Sequence, residues 1–93
     1  MTAMSPAARK AFGSRLRERR TREGLSLRAL GEAAAVHFTW ISHLEAGRRE
    51  PSLGTVYQLA NALRVDAGWL AFGGDVANLR WVLSRPKQKA VSP

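Results

Sequence analysis

The sequence has 93 residues, 45% of them apolar, which suits one compact domain and leaves little for a second. Fifteen Lys and Arg against seven Asp and Glu give a net charge of +8, which draws the chain to a polyanion, nucleic acid before anionic membrane. The absence of cysteine excludes disulfides, thiolate zinc sites and thiol catalysis, and two histidines, His37 and His43, make no convincing metal site, so no cofactor is expected.

Ser5-Pro6 is a helix start: the hydroxyl accepts an orphan amide, and proline at the first helical position gives up a donor already unpaired. The spacing predicts a helix from about Pro6 to Glu23, with Ala8, Phe12 and Leu16 on its apolar face and Arg9, Arg15, Arg17, Arg19 and Arg22 spread over the remainder. Gly24 ends it at a left-handed cap. Ser26 caps a short second helix, Leu27 to Ala34, in which Leu27, Leu30 and Ala34 fall at helical spacing. A third helix, Phe38 to Ala46, turns Ile41 and Leu44 inward and is stopped by Gly47. Ser52 caps a fourth, whose Val56, Leu59, Ala60 and Leu63 make the strongest amphipathic stripe of the chain. Asp66 caps a fifth helix through Phe72, Gly73-Gly74 breaks the chain, and Asp75 caps a sixth ending near Ser84, before Pro86.

No segment alternates with the period of a strand, and none repeats, so the expected fold class is all-α, a compact bundle of five to six helices. Its expected organisation is a flexible N-terminus over residues 1–5, a helical domain over 6–74, an additional C-terminal helix over 75–85 and a disordered basic tail over 86–93. No apolar run approaches the length of a membrane span, and the first residues lack the apolar core of a secretion signal, which makes a cytoplasmic location the expectation.

The second and third helices are separated by about three residues, the arrangement of a helix-turn-helix, in which the first helix braces the second at a steep angle. Its inward positions are Leu30, Ala34, Val36, Ile41 and Leu44, and the contact between the two helices falls on Gly31, where a large side chain would not fit. The chain from Phe12 to Gly73, and above all the run ISHLEAGRREPS with Ser42, Glu45, Gly47 and Pro51 in register, resembles the lambda-repressor/Cro-like helix-turn-helix proteins, the xenobiotic-response-element family of transcriptional regulators. The resemblance implies a lambda-repressor-like fold and DNA binding. Three positions depart from the family pattern. Ala35 stands where the turn usually has Gly, and a left-handed alanine costs on the order of 1 kcal/mol, which predicts a slightly altered turn. Leu27 replaces a Gln that often touches a phosphate, and Arg64 replaces the Gly that commonly ends the fourth helix.

Carried over to this sequence, the base-reading positions implied by the resemblance are Phe38, Thr39 and His43, and residues 39 and 43 share a helix face. Phe38 would meet a thymine methyl, Thr39 would use its methyl or hydroxyl, and His43 would donate to a guanine or a phosphate. The alternatives are packing at the turn for Phe38 and a solvated surface position for His43. Trp40 either donates its indole N–H to a phosphate or packs against the second helix. His37 falls at the cap of the recognition helix, where a structural role is expected. Arg17, Ser26, Ser42, Arg48 and Arg49 complete the implied backbone-contacting set, the alternative for the arginines being a solvated basic surface. Arg20 and Glu45 match a family ion pair that ties the first helix to the recognition helix; the alternative is two unrelated exposed charges.

The implied partner is double-stranded DNA, a (pseudo)palindromic operator bound by a homodimer on half-sites about 34 Å apart. Trp69, Leu70, Phe72, Leu79, Trp81, Val82 and Leu83 supply apolar surface that closes the core or forms the dimer contact. Repression by occluding polymerase needs nothing beyond binding, so a repressor is preferred to an activator. The rival is a protein-interaction module of the same fold, such as an antitoxin or bridging adaptor. Single-stranded RNA binding lacks its aromatic platform, and an enzyme lacks any paired acid/base set, Ser/His/Asp set or phosphate loop. No small-molecule ligand is implied.

Overall fold

The computed structural model of the chain describes residues 3–73. Five helices follow one another, α1 (Pro6–Arg22), α2 (Leu27–Ala34), α3 (Phe38–Glu45), α4 (Leu53–Leu63) and α5 (Ala67–Phe72), with no strand among the described residues. None of these helices is long and apolar enough to cross a membrane. The expected helix over 75–85, the tail over 86–93 and the apolar residues Leu79, Trp81, Val82 and Leu83 lie outside the described residues.

Every helix starts where a side chain takes up an orphan amide. The Oγ of Ser5, Ser26 and Ser52 accepts from the amides of Ala8, Ala29 and Thr55 at 3.1, 3.0 and 3.1 Å, and Asp66 Oδ2 accepts from Trp69 at 2.9 Å. For α3 the cap is His37, whose Nδ1 accepts from the Thr39 amide at 3.1 Å. Helices α1 and α3 each stop one residue short of the expected ends, because Glu23 and Ala46 act as their caps.

Four of the helices end alike. A left-handed residue, Gly24, Ala35, Gly47 or Arg64, reverses the chain, and the amide after it bonds to the carbonyl five residues back. The bonds are Leu25 to Arg20, Val36 to Gly31, Arg48 to His43 and Val65 to Ala60, at 3.0 to 3.1 Å. In three of the four the residue after the turn, Leu25, Val36 or Val65, is apolar and folds onto the core. The fourth is Arg48. The altered turn expected at Ala35 does not occur: Ala35 takes the left-handed conformation with φ 59°, and Arg64 does the same with φ 58°.

Phe12, Leu16, Leu30, Ile41, Leu44, Leu59, Leu63 and Leu70 are fully buried, with Ala34, Val56 and Ala60 nearly so. They come from all five helices, so no helix is stable on its own face. Leu27, the departure from the family's Gln, is half-buried against this core. Two glycines set how closely the backbones approach. A Cβ at Gly31 would lie 2.6 Å from the Val36 carbonyl, as the predicted helix-helix contact requires. A Cβ at Gly13, which the sequence did not single out, would collide with the carbonyls of Leu44 and Glu45, so α1 lies directly against the end of α3.

Three arginines of α1 reach across the fold. Arg9 donates through Nε to the Gly47 carbonyl at 3.1 Å and through Nη1 to Met4 at 3.0 Å. Arg15 donates to the carbonyls of Leu70 and Ala71 at 3.0 and 2.9 Å, capping the C-terminus of α5, and burial lowers its pKa from the ordinary value. Arg20 grips Glu45 with both arms, Nε to Oε2 at 2.6 Å and Nη2 to Oε1 at 3.0 Å, and its Nη1 donates to Leu25 O at 2.8 Å. The side chains of this pair are 12% and 9% exposed, so it is the held pair of the two readings. The hydrogen bond to Glu45 raises the Arg20 pKa, its charge adding to the effect and burial opposing it.

Three substitutions test this account by thermal denaturation. Gly13→Ala, which in an open helix gains about 1 kcal/mol, is expected to destabilise by about 1–3 kcal/mol because main-chain carbonyls must move. Ala35→Gly is expected to raise stability by roughly 0.5–1 kcal/mol by relieving the left-handed alanine, whereas the same change at exposed Ala33 lowers it. Arg20→Ala is expected to cost about 1.5–3 kcal/mol, with little rescue by Arg20→Lys, which lacks the fork. Equal melting of wild type and Arg20→Ala contradicts the brace.

Candidate nucleic-acid interface

Helix α3 has two sides. Ile41 and Leu44 are fully buried, and Glu45 is held by Arg20, which fixes both the rotation and the position of the helix. Opposite them, at i, i+4 and i+7, stand Thr39, His43 and Ala46; Thr39 and Ala46 are exposed and His43 is half-buried. Thr39 and His43 thus share a face as predicted. Ala46 was missed because it was read only as the end of the helix, although its spacing from 39 and 43 carried the signal.

Phe38 is set apart from this face. Its ring stacks on His37 with centroids 4.8 Å apart, and the Arg28 guanidinium lies 4.2 Å from the ring centroid. The residue is half-buried and its backbone adjoins Gly31, so its ring is engaged at the turn, in keeping with the packing alternative. Arg28 had no place among the expected site residues, and an aromatic ten residues downstream gives no local cue to the contact.

Trp40 is half-buried against the core, with its ring edge-on to His43 at 6.5 Å and 74°. Its backbone amide bonds to the His37 carbonyl at 3.0 Å, so the first turn of α3 closes on the cap residue. Ser42 is half-buried on the flank between Phe38 and Ala46. Ser26 is exposed at the start of α2, its Oγ accepting from Ala29 while the hydroxyl proton remains available to an outside acceptor.

Arg17, Arg28, Arg48 and Arg49 are exposed and form no salt bridge among the described residues. Arg17 and Arg49 make no side-chain hydrogen bond there either, while Arg48 Nη1 lies 3.4 Å from His43 Nδ1. The basic charge is therefore divided. Arg9, Arg15 and Arg20 hold the fold together from within α1, and a second set faces solvent around the start of α2, the outer side of α1 and the loop after α3. Among the described residues no group of His, Asp and Glu is placed to hold a metal ion. What this arrangement offers a ligand is a helical face of small and hydrogen-bonding groups on a domain that also exposes arginines without salt-bridge partners among the described residues, chemistry suited to a polyanion.

The comparisons with known proteins agree with this geometry. The family model described as a helix-turn-helix domain matches residues 11–70. An uncharacterized HTH-type transcriptional regulator of Mycobacterium tuberculosis is 40% identical over 55 residues, which are 59% of this chain and 39% of that protein. The chain thus matches only about two-fifths of the length of that relative. Among solved structures, the restriction-modification controller protein C.AhdI from Aeromonas hydrophila is 35% identical, with a TM-score of 0.67 over 70% of this chain and 94% of that one. The P22 c2 repressor, solved in complex with a synthetic operator, is 30% identical, with a TM-score of 0.65 over 68% of this chain and 96% of that one. The chain belongs to the helix-turn-helix domain family, in its lambda-repressor-like, xenobiotic-response-element group.

Proposed function

We propose that the chain is a sequence-specific binder of double-stranded DNA that regulates transcription, placing α3 in the major groove. The observation that carries this reading is the sidedness of α3: Thr39, His43 and Ala46 face outward together while Ile41 and Leu44 anchor the opposite side at full burial. Thr39 and His43 bring hydrogen-bonding groups and Ala46 a methyl to base edges. Arg17 and Arg49, with the Ser26 and Ser42 hydroxyls and the Trp40 indole on the flanks, are the groups suited to phosphate oxygens. The P22 c2 repressor, similar to this chain in fold and sequence, was solved bound to an operator, which supports the same mode here.

One helix reads only a few base pairs, so the proposal includes a two-fold dimer on a (pseudo)palindromic site. Leu53, Tyr57 and Phe72 are 72%, 54% and 76% exposed, apolar area on the α4 and α5 side of the molecule that suits such a contact. Binding alone suffices for repression by occlusion, with no catalysis and no small-molecule ligand, and the site of action is the cytoplasm. The two aromatics that would serve the rival protein-interaction module are engaged within the chain, Trp40 on its own core and Phe38 by His37 and Arg28.

The test is selection of bound duplexes from a random pool. A symmetric site with half-site centres about 34 Å apart is expected, with a log-log salt slope near −5 if each subunit neutralises about three phosphates. Thr39→Ala is expected to change the preferred base at one position per half-site, while Arg17→Ala and Arg49→Ala weaken every duplex alike and each flatten the slope by roughly 1.8, one contact being lost from each half-site. A protein indifferent to all duplexes at moderate ionic strength contradicts the proposal, as does one whose exposed α3 face binds a second protein instead.

A further inference from the structure

Arg48 occupies a position that three other helix ends give to an apolar residue. After the left-handed turns at Gly24, Ala35 and Arg64 come Leu25, Val36 and Val65, each folded against the core. After Gly47 comes Arg48, which is exposed. Its backbone is nonetheless held in the same way, the Arg48 amide bonding to the His43 carbonyl at 3.1 Å and that of Gly47 to Leu44 at 3.1 Å. Gly47 is itself fixed: it is buried, its carbonyl accepts from Arg9, and a Cβ there would meet the Lys10 side chain at 2.8 Å. The end of α3 thus pins residue 48 beside residue 43.

The side chains use that proximity. Arg48 Nη1 lies 3.4 Å from His43 Nδ1, and the Trp40 ring stands edge-on to the imidazole with centroids 6.5 Å apart. A guanidinium only donates, so a hydrogen bond at this contact requires Nδ1 to accept, with the proton of the imidazole on Nε2. With that bond made, the ring is in one tautomer and its second nitrogen is a donor.

We propose that Arg48 is a positioning residue for base recognition: it fixes the tautomer and rotation of His43, so that His43 Nε2–H reads an acceptor in the major groove, the N7 or O6 of a guanine. This deepens the proposed DNA-binding function and rests on it. It also replaces the expected role of Arg48 as a general phosphate contact with one that carries sequence information.

Duplex selection and titration with wild type, His43→Ala, Arg48→Ala, Arg48→Lys and the double alanine variant test the proposal, folding being checked by thermal melting. Wild type is expected to enrich guanine at one position per half-site, by on the order of tenfold in affinity over the other bases, within the range of a good base contact. His43→Ala and Arg48→Ala should each reduce that preference to below about threefold at the same position, and the double variant should be no less selective there than His43→Ala alone. Arg48→Lys, which keeps a donor, should retain part of the preference. The salt slope of Arg48→Ala should match wild type, whereas loss of a phosphate contact from each half-site would flatten it by about 1.8. If Arg48→Ala weakens all duplexes equally, flattens the slope and leaves the guanine preference intact, Arg48 is a backbone contact and the proposal is overturned, while the DNA-binding function stands. If wild type enriches no duplex, both fall together.

Discussion

Helix α3 has eight residues, about two turns, and a helix of that length does not persist in water by itself. Everything the molecule offers to a ligand therefore depends on how α3 is held. Three supports meet on it. Ile41 and Leu44 enter the shared core, Gly13 lets the α1 backbone come against the last carbonyls of the helix, and the Arg20 fork fixes Glu45 from the side. The apolar pair alone would leave the helix free to slide or rock. The close backbone approach and the bidentate pair remove those motions, because each demands one distance and one orientation.

Viewed from α1, the same design explains why a chain of 93 residues carries so many arginines. Arg9 reaches the carbonyl of Gly47 after α3, Arg15 those of Leu70 and Ala71 at the end of α5, and Arg20 both Glu45 and the carbonyl of Leu25. Small helices end in unsatisfied carbonyls with partial negative charge, and a fork of N–H donors satisfies them at a distance that no backbone group could span. Part of the basic composition is thus internal scaffolding, Arg19 and Arg22 pair with Glu23 and Glu18, and the exposed arginines outside these two groups are the ones left to act on a polyanion. Net charge alone overstates the second set, since it counts both equally.

The difference between local and distant partners also decides what was legible in the sequence. Ser5, Ser26, Ser52 and Asp66 could be recognised as caps because their acceptor lies three residues from its donor, and the stripe Val56, Leu59, Ala60 and Leu63 because periodicity reports burial directly. Gly31 could be read because its partner segment follows at once. Gly47 could be read as the end of a helix, but that both Gly13 and Gly47 are packing sites against residues more than thirty positions away left no local sign. The partners of Arg9 and Arg15, at separations of 38 and 55 residues, left no local pattern at all. Arg20 and Glu45 were foreseen only through the family resemblance, which carries long-range information that spacing does not. At Ala35 the error ran the other way: local preference argued for a different turn, but the core on either side of it, Ala34 and Val36, imposes the left-handed conformation on a residue that resists it.

The division of α3 into a held side and an open side has a consequence for how recognition can vary. Thr39, His43 and Ala46 contribute little to the core, so their replacement changes the chemistry presented to a partner with little effect on stability. Glu45, Ile41 and Leu44 cannot change without disturbing the position of the whole helix. Phe38 and Trp40 lie between these limits, since each is half-buried and each orients a neighbour, Phe38 with Arg28 and Trp40 with His43. Substituting either would alter the surface and its support together. The positions at which a new binding preference can arise by a single change are therefore few, and they are set by the packing of α1 and α2 rather than by the ligand.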